Sequence, residues 1–254
     1  MLMDVKKLII ICATQRCGST MVVEDMRNTQ VLGNPEEYFI PWDPGNDGVN
    51  WIDNLETIAK KASSSNGVVA IKVMSNQLRK IEQCLEHADF VFEELAGSEG
   101  VFPRFRALTK NAYYIHIRRD NLLRQAISRS MSRQTGINHA VPNSSVEHFA
   151  GNLLKGYTEK YNEKANYRHE ELEGEMFNIV NENIRWEAFY SSWGINNPLT
   201  LRYEEICKNG TLYIDRVSRY VDVEVKQRDS ERKMVKLSNK KNEQWYDSYL
   251  ESVL

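Results

Sequence analysis

The sequence predicts an α/β domain built on a doubly wound parallel sheet. Four short runs are largely apolar throughout rather than at alternate positions, as in strands that helices cover on both faces; they span residues 7–13, 67–73, 111–117 and 198–203. Helical patterns lie between these runs, and strands that alternate with helices form right-handed crossovers within one sheet. No internal repeat and no linker rich in Pro, Gly or Ser divides the chain. We therefore interpret residues 1–254 as one domain.

The first half of the chain alternates these strands with amphipathic helices. The first apolar run passes into a helix over residues 18–28, a second helix is predicted over 51–62, and a third follows the third run over 120–133. The second and third helices carry apolar side chains at helical spacing: Ile52, Leu55, Ile58 and Ala59 in one, Leu122, Leu123, Ala126 and Ile127 in the other. These faces are expected to cover the sheet.

The second half of the chain has a different pattern. Residues 144–193 predict a helix-rich insertion, because Ser144 and Glu147 have the spacing of a capping box. The polar middle of this block, residues 159–175, predicts a helix end or a loop. The last part of the chain then predicts a strand near Leu199, a helix over 211–220, a basic stretch over 233–241, and an amphipathic end with Trp245, Tyr249 and Leu250.

Composition excludes several classes of function. The chain has 33 Lys+Arg against 35 Asp+Glu and a net charge of -2, so no global positive field favours nucleic acid. The four cysteines have neither CxxC nor zinc spacing and the five histidines are scattered, which favours a reduced cytoplasmic chain without a metal. The N-terminal apolar run is too short for a signal peptide, and no run approaches the ~20 residues of a membrane span.

The loop after the first strand has the features of an anion site. Residues 14–20 read Thr-Gln-Arg-Cys-Gly-Ser-Thr and lie between a strand and a helix, where free backbone N–H groups converge. Gly18 allows close backbone approach, Arg16 supplies a charge, and Ser19 and Thr20 supply hydroxyl groups. An ordinary strand-to-helix turn with hydroxyl capping is the alternative. A kinase or NTPase is disfavoured, because Ser19 stands where a P-loop needs lysine. Cys17 could have a lowered pKa at the helix N-terminus, but an incidental thiol is favoured.

Five segments together resemble the trehalose 2-sulfotransferase family, which includes lipopolysaccharide and nodulation-type sulfotransferases. They read CATQRCGST at 12–20, LGNPEEYF at 32–39, IKVM within 67–77, HIRRD through QAIS at 116–128, and NEQW at 242–245. The resemblance covers most of the chain, but residues 134–198 match only in helical character. It implies a P-loop-like fold.

The resemblance also implies an activity and the residues that carry it. The activity is sulfuryl transfer from 3′-phosphoadenosine 5′-phosphosulfate (PAPS) to a hydroxyl, typically of a carbohydrate or glycolipid, with adenosine 3′,5′-bisphosphate (PAP) as product and no metal. The resemblance implies that the phosphosulfate is cradled by Gln15, Arg16, Cys17, Gly18, Ser19 and Thr20. Arg119 and Ser128 would clamp the 3′-phosphate, and Lys241 would lie near the nucleotide. Solvated or ion-paired surface roles are the alternatives for these three residues.

The family's catalytic glutamate aligns with Glu37, two residues after Pro35, whereas Glu36 falls at a variable position. Glu37 is therefore predicted as the general base, with Arg16 as a second catalytic residue. Lys72 could contact the transferring group or the acceptor, or form a structural ion pair. His116 could be a base, but a core histidine is favoured because its strand is apolar.

Departures from the family pattern leave the acceptor open. Cys17 replaces a serine or threonine, and Ser75 and Ser130 stand where relatives carry tryptophan. The alternatives to a sulfotransferase are a magnesium-dependent phosphotransferase and a nucleotide-binding protein without activity. The resemblance also implies a homodimer, for which four aromatic residues could supply an interface or could instead fill the core: Tyr157, Tyr161, Tyr167 and Phe189.

Overall fold

The computed structural model describes residues 5–46, 48–88, 99–226 and 231–253. Its main sheet has four strands, β1 (Lys7–Ala13), β2 (Val68–Met74), β3 (Ala112–Arg118) and β6 (Leu199–Arg202). Their order is β2-β1-β3-β6, and every neighbouring pair is parallel. The predicted parallel α/β sheet is confirmed.

Helices cover both faces of this sheet. Successive side chains of a strand point to opposite faces. Leu8, Ile10 and Cys12 of β1 accordingly enter one apolar cluster, while Ile9 and Ile11 enter the other. Helices α2 (Trp51–Ala62), α3 (Leu78–His87) and α6 (His169–Ser192) contribute to the first cluster, and α1 (Ser19–Asn28) and α8 (Tyr213–Val221) contribute to the second.

The remaining elements are short, apart from two helices that pack together. They are α4 (Pro103–Leu108), α5 (Leu122–Thr135), α7 (Tyr203–Asn209), α9 (Lys240–Val253) and the strands β4 (His139–Val141) and β5 (Leu153–Lys155). Helix α5 ends at Gly136, whose φ of 71° is the left-handed conformation of a helix C-terminus. Strands β4 and β5 form a separate parallel pair.

The prediction of a helix-rich block over residues 144–193 is wrong in its first half. Residues 144–168 form turns, loop and β5, and a helix begins only at His169. The Asn143 side chain accepts a hydrogen bond from the backbone N–H of Ser145 at 3.1 Å, which makes a local turn instead of a helix start. The predicted loop in the polar middle holds for residues 159–168, and the rest of that segment opens α6.

Helix α6 is held against α5 by buried charges. Arg129 Nε lies 2.9 Å from Glu175 Oε2, and another nitrogen of its guanidinium lies 2.7 Å from Glu182 Oε1. Ser130 Oγ donates to Glu171 at 2.7 Å, and Ser75 Oγ donates to the Glu182 carbonyl at 2.7 Å. The two serines that depart from the family pattern therefore bind α6.

Phe189 does not supply an interface, because it is fully buried against Trp186 and Tyr114 in the core. Tyr157, Tyr161 and Tyr167 are half-buried.

Candidate active site

The candidate site lies at the carboxyl ends of β1, β2 and β3, where parallel sheets bind ligands. The loop after β1 turns through two left-handed residues, Arg16 (φ 64°) and Gly18 (φ 93°). A Cβ on Gly18 would lie 2.5 Å from Cδ2 of Tyr203. Glycine is thus required there both by the backbone conformation and by the close approach of this ring.

Helix α5 supports the loop after β1 through side-chain hydrogen bonds. The buried Gln125 side chain donates to Thr14 Oγ1 at 2.9 Å and to the Gln15 carbonyl at 2.7 Å. Arg16 Nε donates to Ser128 Oγ at 3.0 Å, and its guanidinium also donates to the Asn138 carbonyl. The structure therefore places Ser128 beside Arg16, and this contact fixes the arginine charge at the loop.

Arg119 is the second cation of the site. Its guanidinium lies 4.4 Å from the ring centroid of Tyr203 and donates to the Arg16 carbonyl at 3.5 Å. Its buried Nε has no hydrogen-bond partner among the residues that the structure describes. Burial lowers the pKa of both arginines, and in Arg16 the nearby charge of Arg119 adds to that effect. A donor without a partner beside a second guanidinium fits a bound anion.

Glu37 lies at the other side of the loop. Lys72, only 5% exposed on β2, places its Nζ 2.7 Å from Glu37 Oε1 and 3.2 Å from Thr20 Oγ1. Gln77 donates to Glu37 Oε2 at 3.3 Å. One ammonium group thus links the candidate base to the first turn of α1.

Glu36 faces a different partner. Its carboxylate lies 2.6 Å from the guanidinium of Arg27, which also donates to the Pro35 carbonyl. The Glu36 carbonyl accepts from the backbone N–H of Lys72 at 3.0 Å, so one backbone hydrogen bond ties this segment to β2. Neighbouring residues of an extended segment point to opposite sides, and the two glutamates are separated in this way.

Two candidate groups are buried away from any reactive role. Cys17 is fully buried, and burial raises the pKa of its thiol, so the idea of a lowered pKa is wrong. His116 is 1% exposed, and burial followed by the charge of Arg118 lowers its pKa to about 3. The imidazole is therefore neutral, as the core interpretation expects.

Lys241 is the second residue of α9, and its side chain binds a neighbouring loop. Its ammonium donates to the carbonyls of Asn162 at 3.0 Å and Glu163 at 2.6 Å. These contacts hold the Lys241 ammonium against the loop that also carries Tyr161.

Sequence reasoning assigned no role to three residues near the site. Tyr203 follows β6 directly, and its position after a strand's carboxyl end was an available signal. Gln125 begins the QAIS segment of the family resemblance, but the sequence indicated no function for it. His139 begins β4 beside the Asn138 carbonyl that binds Arg16, and burial followed by the charges of Arg16, Lys72 and His148 lowers its pKa to about 2.

Within the described ranges, no group of three or more His, Cys, Asp or Glu side chains could hold a metal ion. No helix among the described residues has the length and apolar character needed to cross a membrane.

Two comparisons with known proteins bear on this site. A family model described as Stf0 sulphotransferase matches residues 9–252. The chain is also 22% identical over 275 residues to a trehalose 2-sulfotransferase of Mycobacterium tuberculosis (strain ATCC 35801 / TMC 107 / Erdman), an alignment that covers 94% of this chain and 93% of the relative. The family match contains the loop after β1, the Glu37–Lys72 pair and Arg119, and this chain belongs to the Stf0 sulphotransferase family of sulfotransferase enzymes.

Proposed function

We propose that this chain transfers a sulfuryl group from PAPS to a hydroxyl of a carbohydrate or glycolipid, with Glu37 as general base and without a metal. The observation that carries the proposal is the Lys72 ammonium, which contacts both Glu37 and Thr20, a residue in the first turn of α1 directly after the loop that follows β1. Lys72 thus holds the proposed base close to the loop that would bind the phosphosulfate of PAPS. This arrangement suits a reaction in which an acceptor hydroxyl attacks the sulfur atom of the bound donor. The named activity of the mycobacterial relative supports a sugar acceptor.

The donor side of the site fits a doubly anionic nucleotide. The backbone N–H groups after Gly18 point from the start of α1, and Arg16 and Arg119 add two positive charges. The unpartnered Nε of Arg119 is available to a phosphate oxygen. The Tyr203 ring packs against one face of the planar Arg119 guanidinium and restricts the orientation of its N–H groups.

The chain's own groups can complete an in-line displacement. Glu37 takes the proton of the acceptor hydroxyl as the oxygen–sulfur bond forms. The bond between sulfur and the phosphate oxygen breaks, and PAP leaves with that electron pair. Arg16, Lys72 and the loop N–H groups stabilise the negative charge that develops on the leaving phosphate.

Glu37 retains capacity for this proton transfer. Each carboxylate oxygen has two acceptor sites, and Oε2 accepts only the 3.3 Å hydrogen bond from Gln77 that the structure shows. Lys72 holds the other oxygen, so the carboxylate is oriented before an acceptor arrives.

PAP is expected to raise the melting temperature much more than AMP, which lacks the 3′-phosphate. A ligand at 100 times its dissociation constant stabilises by about 2.7 kcal/mol, which for a chain of this size corresponds to a rise of about 5–10 °C. Differential scanning fluorimetry measures the shift. An equal shift with ATP and magnesium would support the phosphotransferase alternative and contradict the proposal.

The reaction itself is tested by mass spectrometry of hydroxylated acceptors incubated with the protein and PAPS. A mass gain of one sulfuryl group on a sugar is expected. PAP binding without transfer to any acceptor would support the alternative of a nucleotide-binding protein without activity.

We also propose a homodimer, and the structure suggests a different surface from the one that the sequence indicated. Phe177, Val180 and Ile184 lie at i, i+3 and i+7 on α6 and are 68%, 41% and 56% exposed. An apolar stripe of this kind is self-complementary across a two-fold axis.

Light scattering at micromolar concentration is expected to give a dimer mass for the parent and a monomer mass for Phe177→Glu. Leu212→Glu, at a similarly exposed apolar position in the turn before α8, is the control and should remain dimeric. A monomer mass for the parent chain would contradict the homodimer.

A cytoplasmic location belongs to the same proposal. All four cysteines are free thiols, and three of them are buried. Free thiols of this kind suit a reducing compartment.

A further inference from the structure

The segments that follow β3 and β6 leave the sheet side by side. The last residues of the two strands are neighbours in register, because Arg118 of β3 lies opposite Arg202 of β6. Beyond the sheet, the Arg202 guanidinium pairs with the Asp120 carboxylate at 2.5 Å. The first two residues of α7 are thereby brought alongside residues 119–121, which connect β3 to α5.

Glu204, the second residue of α7, uses both carboxylate oxygens on this connection. Its Oε2 accepts the backbone N–H of Asp120 at 3.1 Å, and its Oε1 accepts the backbone N–H of Asn121 at 3.2 Å. Backbone N–H groups between a strand and a helix need partners outside both elements. A side chain from a distant part of the sequence supplies them here, at the two residues that directly follow Arg119.

The Glu204 carboxylate is ionised at neutral pH. Partial burial raises its pKa, but hydrogen bonds from the backbone N–H groups of Asp120 and Asn121 act in the opposite direction, and the pKa lies below its usual value. An ionised carboxylate accepts hydrogen bonds with both oxygens and donates none. Its charge also suits the start of α5, where the helix dipole favours a negative group. The two contacts are therefore charge-assisted hydrogen bonds.

The connection is also fixed at its other end, by the first turn of α5. Asn121 directly precedes this helix, and its side chain accepts the backbone N–H of Arg124 at 2.9 Å. The Asn121 carbonyl accepts the backbone N–H of Gln125 at 3.1 Å. Arg119 therefore extends from a backbone that β3 holds on one side and that Glu204 and α5 hold on the other.

Glu204 supports Arg119 without forming an ion pair that would use up its charge. Both oxygens of Glu204 bind backbone N–H groups, while the guanidinium of Arg119 packs on the ring of Tyr203. Burial lowers the pKa of Arg119, and the negative charge of Glu204 is one of the charges that oppose this effect. The carboxylate thus fixes the backbone next to Arg119 and leaves its guanidinium to a ligand.

The neighbouring glutamate has a different partner. Glu205 pairs with Arg216 at 3.0 Å, and the two side chains are 46% and 43% exposed. Glu204 and Glu205 both lie in the first turn of α7, so a contribution to the dipole of that helix alone would be similar for the two residues. They differ in the contact with residues 120–121, which only Glu204 makes among the described hydrogen bonds.

We propose that Glu204 is a positioning residue for the nucleotide, which holds the Arg119 guanidinium where it receives the 3′-phosphate of PAPS. The inference rests on the proposed function, because it adds a support to the cation that would bind this phosphate. Glu204 itself touches neither the nucleotide nor the sulfuryl group. Its contribution is therefore expected in the affinity for the donor and not in the rate of transfer.

Calorimetric titration of Glu204→Gln with PAP and AMP tests this inference. Glutamine keeps the size of the side chain, but its NH₂ group would face one of the two backbone N–H groups, and that hydrogen bond is lost. The dissociation constant of PAP is expected to rise about 5- to 20-fold, less than in Arg119→Ala because the cation itself is kept. The AMP constant should stay within about twofold, because AMP lacks the phosphate assigned to Arg119.

Glu205→Gln is the matched control and should bind PAP with the affinity of the parent protein. The melting temperatures without ligand show that both variants are folded. Glu204→Asp keeps the charge but is shorter by one methylene group, so its PAP affinity should lie between those of the parent and of Glu204→Gln. In steady-state kinetics Glu204→Gln should raise KM for PAPS and leave kcat within about threefold, the pattern of a contact made equally in the ground and transition states.

A double-mutant cycle identifies the residue through which Glu204 acts. In the Arg119→Ala background, Glu204→Gln should change the PAP dissociation constant by less than about twofold, because the guanidinium that it positions is gone. A general effect on the fold would persist in that background. Three outcomes would overturn the inference: parent-like PAP affinity in Glu204→Gln, an equal loss of AMP affinity, or an undiminished effect in the Arg119→Ala background.

Failure of the proposed function has a different signature. In that case the parent protein would show no PAP-induced rise in melting temperature and no sulfated product with PAPS and any acceptor, and the role of Glu204 would fall with it. PAP binding and sulfuryl transfer by the parent, together with parent-like PAP affinity in Glu204→Gln, would contradict the inference alone.

Discussion

Replacing Glu37 with glutamine is expected to lower kcat by about 10²- to 10⁴-fold, the usual contribution of a positioned general base. Glutamine keeps the size of the side chain, and its amide oxygen can still accept from Lys72, but it cannot take the acceptor proton. PAP affinity should stay within a few fold of the parent, because Arg16, Arg119 and the loop N–H groups are unchanged. Turnover with a verified acceptor and calorimetric titration with PAP measure the two effects.

Glu36→Gln is the matched control for this experiment. It is adjacent in sequence and identical in chemistry, but its carboxylate contacts Arg27 rather than Lys72. Its kcat should remain within a few fold of the parent. Full turnover in Glu37→Gln, or a loss confined to Glu36→Gln, would show that the base has been assigned to the wrong residue.

Arg119→Ala is expected to weaken PAP binding by about 2–3 kcal/mol, the value of a lost charge-assisted bidentate contact. This corresponds to a roughly 30- to 150-fold higher dissociation constant. The substitution removes the cation that packs on Tyr203 and contacts the Arg16 carbonyl, so the loop also loses a lateral support. AMP affinity should fall much less if Arg119 binds the 3′-phosphate.

Arg118→Ala provides the control at the preceding position. Its guanidinium points to Glu187 at 3.2 Å on α6, and both side chains are about half exposed. PAP affinity in this variant should equal that of the parent. If Arg119→Ala also bound PAP with the affinity of the parent protein, Arg119 would not belong to the nucleotide site.

Helix α6 also contacts the carboxyl ends of the strands that carry the site. Trp186 Nε1 donates to the Ala13 carbonyl at 3.1 Å, at the point where β1 enters the loop. Arg185 and Glu182 contact Ser75, which follows β2. The long helix thus fixes the ends of the two strands that carry the loop and Lys72.

The strands and the loop after β1 could be predicted from the sequence because their signals are local. Continuous apolar runs require burial on both faces, and this requirement leads to central parallel strands whatever the rest of the chain does. The loop of residues 14–18 follows from a strand, a glycine and a helix start in succession. The motifs that carry the family resemblance occupy these same segments.

The predicted helical start of the block, over residues 144–158, failed because its signal was also local but a competing contact was stronger. A capping-box spacing was present, but the Asn143 side chain closes a turn at Ser145, and β5 pairs with β4. Polar side chains that bind nearby backbone groups offer the chain an alternative to a helix. The spacing of residues in the sequence does not show whether the chain will start a helix at Ser144 or close a turn at Asn143.

Other features depend on residues that are distant in sequence, and only the tertiary structure decided them. The resemblance favours Glu37 over Glu36 as the base, but the sequence does not show which partner each carboxylate finds; in the structure the backbone N–H of Lys72 donates to the Glu36 carbonyl. The Glu37 side chain lies against Lys72 and the Glu36 side chain against Arg27, because side chains alternate along an extended segment. The sequence by itself determined the strands and the loop after β1, because burial and backbone conformation act over a few residues. The orientation of Glu37 toward Lys72 arises from packing between segments far apart in the chain.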